Sequence, residues 1–531
     1  MTGGVHEKRG GKLRHTGRER RLPLLLLALA GGAAAGLAQA PLHAPLLLLG
    51  GLLLLLPALD RAWSGRAAAL SAFLAGFGHF LAALEWIRAP FAFEPGLGAL
   101  AGPLGVLAWL AMAAGLALLW AVPVGLLWRF LPRPGAVPLA AALALGEFLR
   151  GHLLDGFPWA LPAYALTETP FAQLAALVGP YGLTAALFLL AAVLLRLRPD
   201  AGGLGLAVAL AALLGGAWLW GNDRAMRLGG RAAPGPVVRL VQPDAPQDEK
   251  WDPVRVPVFL ERMLKATAAP PAAGAAPALV IWPETAVAPL LGRAGVILEA
   301  MASALPRGAE LVFGVRRREG RRLYNTMAVM TADGTIRALY DKRRLVPFGE
   351  YVPLGDLLGA FGIRGLAAGD GAGFSPGRRP GPLPLAIGRA VPLICYEAIF
   401  PVEVRRGAGH ARFVLQITND AWFGTRSGPF QHLDQIRFRA IESGLPVVRV
   451  ANTGVSAVID PAGRLRSVLP LGRSGFLDAA LPAALAPPPY ARIGDWPVPA
   501  ILLPLLAVAV LRRRKRTRPR GKPVDLEAKG R

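Results

Sequence analysis

Cysteine is almost absent from this 531-residue chain. The single one, Cys395, excludes an intrachain disulfide and any cysteine-based zinc site. Histidine is sparse: seven residues lie scattered with no pair at metal-ligand spacing, so no metal and no other cofactor is expected. Charge is low as well. Only 18% of residues are charged, against about a quarter in a soluble protein. Lys and Arg outnumber Asp and Glu by 59 to 34, a formal net charge of +25, but the 53% hydrophobic content argues against a nucleic-acid partner. The basic residues instead flank long apolar runs, as they do in the cytoplasmic loops of membrane proteins.

What is present is a series of apolar runs long enough to span a bilayer, which takes about 20 residues in a helix. They fall at 22–40, 42–60, 68–87, 100–127, 135–153, 171–196 and 203–221, with a last one at 493–511. Eight spans leave both ends on one side. Both ends are basic, from Lys8 to Arg21 and again from Arg512, which places them in the cytoplasm. The loops then predicted inside carry Arg61 and Arg66, Arg129 and Arg133, Arg196 and Arg198, while the outside loops carry Glu85 with Glu94 and Asp155 with Glu168. Ala38-Gln39-Ala40 resembles a signal-peptidase site, but an apolar run follows at once and the first run is read as an uncleaved span.

The expected organisation is a basic N-terminus (1–21), a membrane domain of about seven helices (22–221), a linker (222–235), an extracytoplasmic domain (236–485), a last span and a basic tail (512–531). Within 236–485, β-rich runs at 237–242, 278–284, 311–317, 326–331, 390–397, 413–420 and 447–452 alternate with helical stretches at 253–267, 293–304 and 429–444, the pattern of an α/β domain. Asp333-Gly334 is a hairpin signal. The Gly/Pro-rich stretch 362–388 reads as a long loop.

Three residues at strand ends carry complementary chemistry: Glu284 after VIWP, Lys342 after RALYD and Cys395 after VPLI. A carboxylate can deprotonate a thiol, and an ammonium can favour the thiolate and stabilise an oxyanion. The set suits acyl transfer through a thioester. Each also has a blander reading. Cys395 could be a small core hydrophobe, Lys342 one of a solvated basic run with Arg343 and Arg344, and Glu284 a helix cap.

The surrounding motifs weigh against those readings. WPET (282–285), YDKRRLVPFGEYVP (340–353), ICYEAIFP (394–401), NDAWFG (419–424), GPFQH (428–432) and RAIESGLPVVRVANTG (439–454) occur in this order. Together with the eight-span plan they resemble the bacterial apolipoprotein N-acyltransferase family, the membrane branch of the nitrilase superfamily. The resemblance covers nearly the whole chain and implies a multi-span α-helical membrane domain joined to a nitrilase-like αββα sandwich.

It further implies Glu284 as base, Lys342 as the catalytic lysine and Cys395 as nucleophile. Supporting or oxyanion roles fall to Glu350, Tyr396 and Glu397; candidate substrate contacts are Trp251, Trp422 and Phe423, and the apolar loop after Pro353 offers Leu354, Leu357, Leu358 and Phe361 as lipid-facing residues. Asn419, Asp420, Trp422 and Phe423 divide evenly between function and turn chemistry with core packing. The implied reaction moves an acyl chain from a phospholipid, with phosphatidylethanolamine the expected donor, through Cys395 to the α-amine of a diacylglyceryl-cysteine at a lipoprotein N-terminus. The alternatives are a membrane-tethered nitrilase or amidase, in which water attacks the thioester, and a catalytically silent scaffold or transporter. Against the transporter, no chain of acidic or basic residues within the spans marks an ion path.

Overall fold

The computed structural model describes residues 21–229, 235–272, 274–352, 373–378 and 381–517. Each apolar run becomes a helix: α1 (Arg21–Leu37), α2 (Pro45–Asp60), α3 (Gly65–Ala83), α4 (Ala101–Phe130), α5 (Ala136–His152), α6 (Ala175–Leu194) and α7 (Ala201–Gly229). Among the described residues, the segments Gly65–Ala83, Gly96–Phe130, Pro170–Leu194 and Ala201–Arg227 are long and apolar enough to cross a membrane, while Arg21–Leu37 and Pro45–Asp60 are shorter apolar helices. The span count of eight therefore stays an expectation.

In an apolar solvent, helices gain little from burying leucine against one another and associate by close approach of small residues. Gly32 of α1 shows this. A Cβ placed there would lie 1.8 Å from the carbonyl oxygen of Ala75 on α3, so only glycine permits the crossing. The sequence reading found no ionisable chain in the spans, yet α5 buries Glu147 and Arg150 side by side, with Nη2 of the arginine 2.5 Å from Oε2 of the glutamate. Trp120 donates to the same carboxylate at 2.7 Å, so the pair is satisfied inside the bundle. Helix α7 runs on through Gly229, into the stretch 222–235 expected as linker. Hydropathy sees only its apolar part; the polar end is supported by Arg227 paired to Asp223 at 2.7 Å.

The α/β part contains β1 (Val237–Gln242), α8 (Val256–Ala268), β2 (Leu279–Ile281), β3 (Val287–Leu290), α9 (Gly295–Ala304), β4 (Glu310–Glu319), β5 (Arg322–Met330) and β6 (Ile336–Asp341). It continues with β7 (Ala390–Ile394), α10 (Pro401–Ala408), β8 (Phe413–Thr418), α11 (Gly428–Ser443), β9 (Val447–Ala451), β10 (Ser456–Ile459), β11 (Leu465–Leu469) and β12 (Gly475–Ala480). A short helix α12 (Pro489–Ile493) then leads to α13 (Pro497–Thr517), which holds the last apolar run. The order β12-β1-β2-β4-β5-β6, with β3 beside β4, makes one sheet and β11-β10-β9-β8-β7 the other. The hairpin expected at Asp333-Gly334 joins β5 to β6, with Gly334 at φ +84°.

Alternation along the strands explains the layering. Leu240, Ile281, Val312 and Val329 of the first sheet share one buried cluster with Ile394, Leu415, Val448 and Val458 of the second. The opposite faces are covered by helices. Trp282 and Phe313 pack with Met263 and Met301 of α8 and α9, and Leu393 and Val414 with Val404 and Ile436 of α10 and α11. The result is an αββα sandwich.

Loops of the helical part grip this sandwich. His43 meets Asp434 at 2.6 Å, Arg344 donates to the Asp155 carbonyl at 3.0 Å, and Gln173 donates to the Ala462 carbonyl at 2.8 Å. These loops all come from the side expected to be extracytoplasmic. At the other end, Arg513 of α13 reaches the Pro132 carbonyl between α4 and α5.

Candidate active site

The site forms where β2, β6, β7 and β8 end, because the chain leaves the sandwich there and its side chains meet a crevice. Beyond β2 the backbone turns sharply, with Thr285 at φ +46°. Gly314 of β4 makes room for the turn; a Cβ there would come within 2.6 Å of the Glu284 Cα. Cys395 directly follows β7 and sits at φ +50°, a left-handed conformation uncommon for a side-chain-bearing residue.

Glu284, Lys342 and Cys395 are all buried, with relative exposures of 5%, 1% and 5%. Nζ of Lys342 lies 2.8 Å from Oε1 of Glu350 and 3.4 Å from Oε1 of Glu284. Asn325 ties the two carboxylates together, donating to Glu284 at 2.7 Å and to Glu350 at 3.2 Å. The remaining oxygen of Glu284 accepts the backbone N–H of Asn419 at 2.9 Å, and that of Glu350 the N–H of Val346 at 2.9 Å. Both carboxylates are thus fixed in orientation.

Burial opposes the charge on Lys342, but Glu350 and Glu284 outweigh it and hold the ammonium above its usual range. Burial pushes the Cys395 thiol well up, and Glu284 adds to this; Lys342 and hydrogen bonding with Thr418 pull the other way. The resting group is therefore a thiol, and its proton must leave as it attacks. Hydrogen bonds draw the three positions together: Lys342 reaches Glu284, Glu284 accepts from Asn419 beyond β8, and Gln416 of β8 donates to the Cys395 carbonyl.

The supporting residues divide by role. Glu397 is fully buried, and its Oε1 accepts from the Tyr340 hydroxyl at 2.9 Å and from the amides of Arg343 and Arg344 at 2.8 and 3.2 Å. Its other oxygen takes the Ile394 amide at 2.8 Å, so it clasps the lysine loop to the cysteine turn. Burial pushes Glu397 up to about 7 against those donors. The Tyr396 hydroxyl reaches the Gly156 carbonyl of the helical part at 3.5 Å.

Trp251 is 40% exposed, with the Arg316 guanidinium 4.7 Å from its ring centre. Trp422 lies edge-on to Phe93 at 6.0 Å, and Phe423 is buried among Trp86, Trp159 and His432. Leu354, Leu357, Leu358 and Phe361 lie outside the described residues, as does much of 362–388. Of its described parts, 373–378 rests on the site: Phe374 donates to the Glu350 carbonyl at 2.9 Å and Gly377 to the Lys342 carbonyl at 2.8 Å.

Sequence reasoning missed Asn325, Lys250, Gln416 and Arg449. Three of them are polar residues inside apolar strands (RLYNTMAVM, FVLQIT, VVRVA), and that misfit was the available signal. Lys250 donates to the Glu284 carbonyl at 3.0 Å and to the Thr285 hydroxyl at 2.7 Å; burial lowers it to about 8. Away from the site, a cavity of about 480 Å³ opens beside His43, Glu168 and Asp434. These three ligand types lie within 4.8 Å of one another, but Arg437 already pairs with both carboxylates and supplies the cation.

Residues 238–487 match the family model for Carbon-nitrogen hydrolase, and residues 31–193 that for the Apolipoprotein N-acyltransferase N-terminal domain. The chain is 39% identical over 518 residues to the Apolipoprotein N-acyltransferase of Bradyrhizobium diazoefficiens, covering 92% of this chain and 95% of that protein. It is 38% identical over 524 residues to that of Rhodopseudomonas palustris, again covering 92% and 95%. A solved amidase from Nesterenkonia sp. is 22% identical, covers 48% of this chain and 93% of its own, and has a TM-score of 0.34.

Proposed function

The chain belongs to the apolipoprotein N-acyltransferase family, and from that premise we propose that Cys395, Glu284 and Lys342 carry the acyl transfer. The observation that supports this most is the position of Lys342, locked between Glu284 and Glu350 in the buried site that also holds the thiol.

In the first half-reaction Glu284 takes the thiol proton while sulfur bonds to the ester carbonyl carbon of a phospholipid. Lys342 and the Tyr396 amide stabilise the oxyanion. The carbon–oxygen bond then breaks, the proton passes from Glu284 to the leaving glycerol oxygen, and a lysophospholipid departs. In the second, the α-amine of a diacylglyceryl-cysteine attacks the thioester. The new carbon–nitrogen bond forms as the carbon–sulfur bond breaks, and the amine proton returns to the thiol through Glu284. The donor is phosphatidylethanolamine, through its sn-1 chain. Glu350 and Glu397 orient; neither is required to exchange a proton.

The α/β domain faces outward from a bacterial inner membrane with both termini cytoplasmic. Supporting this, the loops that hold the domain lie at the end opposite the turns bearing Arg61, Arg129 and Arg196. Donor and acceptor both carry acyl chains, and extracting them from lipid costs about 0.8 kcal/mol per CH₂. A site held against the bilayer avoids that cost.

The test is reconstitution of the full chain in vesicles with a diacylglyceryl lipopeptide bearing a free α-amine. Expected are N-acylated peptide and equimolar lysophospholipid, fastest with phosphatidylethanolamine. Free fatty acid without peptide acylation would instead establish the hydrolase reading.

A further inference from the structure

Behind the thiol lies a buried polar assembly that the acyl-transfer scheme does not use. The carbonyl oxygen of Cys395 lies beyond the last ladder pair of β7, Ile394 with Ile417, at the start of the 3-10 turn Cys395–Ile399 and outside the strand ladder. Two side chains converge on it instead: Gln416 donates at 3.2 Å, and Nε2 of His432 lies at 3.1 Å. Nδ1 of His432 is 2.9 Å from Oδ1 of Asp420, which also accepts the Thr418 hydroxyl at 2.9 Å, while Arg449 binds the other oxygen. Arg449 closes the circuit by donating to Oε1 of the Gln416 side chain at 2.5 Å. Gln416, Thr418, Asp420, His432 and Arg449 are all fully buried.

Burial opposes the charge on Asp420, but Arg449 and His432 outweigh it and keep the carboxyl low and ionised. Nδ1–H of His432 therefore donates to Asp420, leaving Nε2 facing the Cys395 carbonyl and the Gln416 amide nitrogen, 3.2 Å away. A neutral ring accepts from Gln416, whose second N–H holds the carbonyl. A protonated ring donates to the carbonyl itself. In both forms the ring defines one wall of the clamp. Its other face stacks on Trp159 of the helical part, centres 5.6 Å apart and 23° from parallel. Trp159 is fixed in turn by Gln431 at 2.7 Å and by Trp86 at 4.4 Å between ring centres.

We propose that His432 is a positioning residue for the nucleophile: by accepting from the Gln416 amide it keeps that amide on the Cys395 carbonyl, holds the left-handed backbone there and so aims the thiol, with Trp159 as the backstop of the ring. The proposal rests on Cys395 being the nucleophile. It gives the GPFQH motif a chemical task and links alignment of the thiol to the membrane part.

The test uses the full chain in phospholipid vesicles without acceptor, following the acyl adduct on Cys395 by intact mass. His432→Phe keeps the stack and removes both nitrogens. Its rate of adduct formation is expected to fall about 100-fold, since small misplacements of a reacting group cost that much, with KM for phospholipid within about twofold. His432→Gln, whose amide reaches the Nε2 position, is expected to recover about tenfold of that loss. Wild-type rates in His432→Phe, or no recovery in His432→Gln, overturn the proposal. If His432→Phe does not fold, His432→Gln is compared with His432→Asn, whose shorter amide cannot reach the carbonyl; equal rates overturn the proposal and a faster glutamine variant supports it. A wild-type enzyme that never carries the adduct removes the nucleophile assignment and the positioning role together, a result distinct from equal rates in wild type and variant.

Discussion

The helical part and the sandwich each enclose a buried core, but they hold together by different means. In the helices the fixed points are backbone against backbone, as at Gly32 and Ala75, and the ionisable residues Glu147 and Arg150 neutralise each other. In the sandwich the fixed points are side chains. Glu284, Asn325, Lys342, Glu350 and Glu397 are each pinned by two or more partners, and the thiol lies among them with its proton held tightly. The lesson is that a low-dielectric interior serves as scaffold where it is apolar and as reaction medium where charges are assembled in it.

The comparison breaks most readily at the thiol. Cys395→Ala should reduce peptide N-acylation by roughly 10³-fold or more, with the unfolding temperature unchanged. Glu284→Gln keeps the shape and removes the base. It should lower kcat by about 10²–10⁴-fold, read from initial rates of lysophospholipid release. The helical part should behave oppositely. In Gly32→Leu the new Cβ would meet the Ala75 carbonyl, so stability should fall by about 1–3 kcal/mol in thermal melts, while kcat per folded molecule stays near wild type. A Gly32→Leu enzyme with normal stability and lost chemistry would erase the distinction.

The smallest effect expected is a pH signature. Lys250 is lowered by burial to about 8, below its free value near 10.4. The folded state thus favours the neutral amine, and the stabilisation this gives is complete above the free value and lost as pH falls through about 8. Lys250→Met removes that dependence. The difference in melting temperature between wild type and variant should change in favour of wild type as pH rises from 7 to 10, and a difference independent of pH would rule this out.

The two regions were also unequally legible. Long apolar runs marked the helices, since a bilayer imposes length and composition on a span, but not the polar ends by which α7 and α13 run on to Gly229 and Thr517. The crossings were not readable, because they depend on which glycine meets which carbonyl. In the sandwich, the buried strands β1, β2, β4, β5, β7, β8 and β9 were visible as apolar runs. Strand β6 was legible as the RALYD run after the hairpin signal, whereas β11, with exposed alternate residues, and the short β3 were not. The carboxylate, lysine and cysteine were legible because ordered motifs surround them. Asn325, Gln416 and Arg449 were not, because a polar residue in a strand declares its partner only when the neighbouring strands, loops and helix are in place.

The most direct test of the central claim is the mass of the intact chain after incubation with phospholipid in the absence of lipopeptide. The account predicts one acyl group on Cys395, released by hydroxylamine and passed to the lipopeptide when it is added. An enzyme that acylates the lipopeptide at full rate yet carries no such group, or that carries it unchanged after Cys395→Ala, would contradict it.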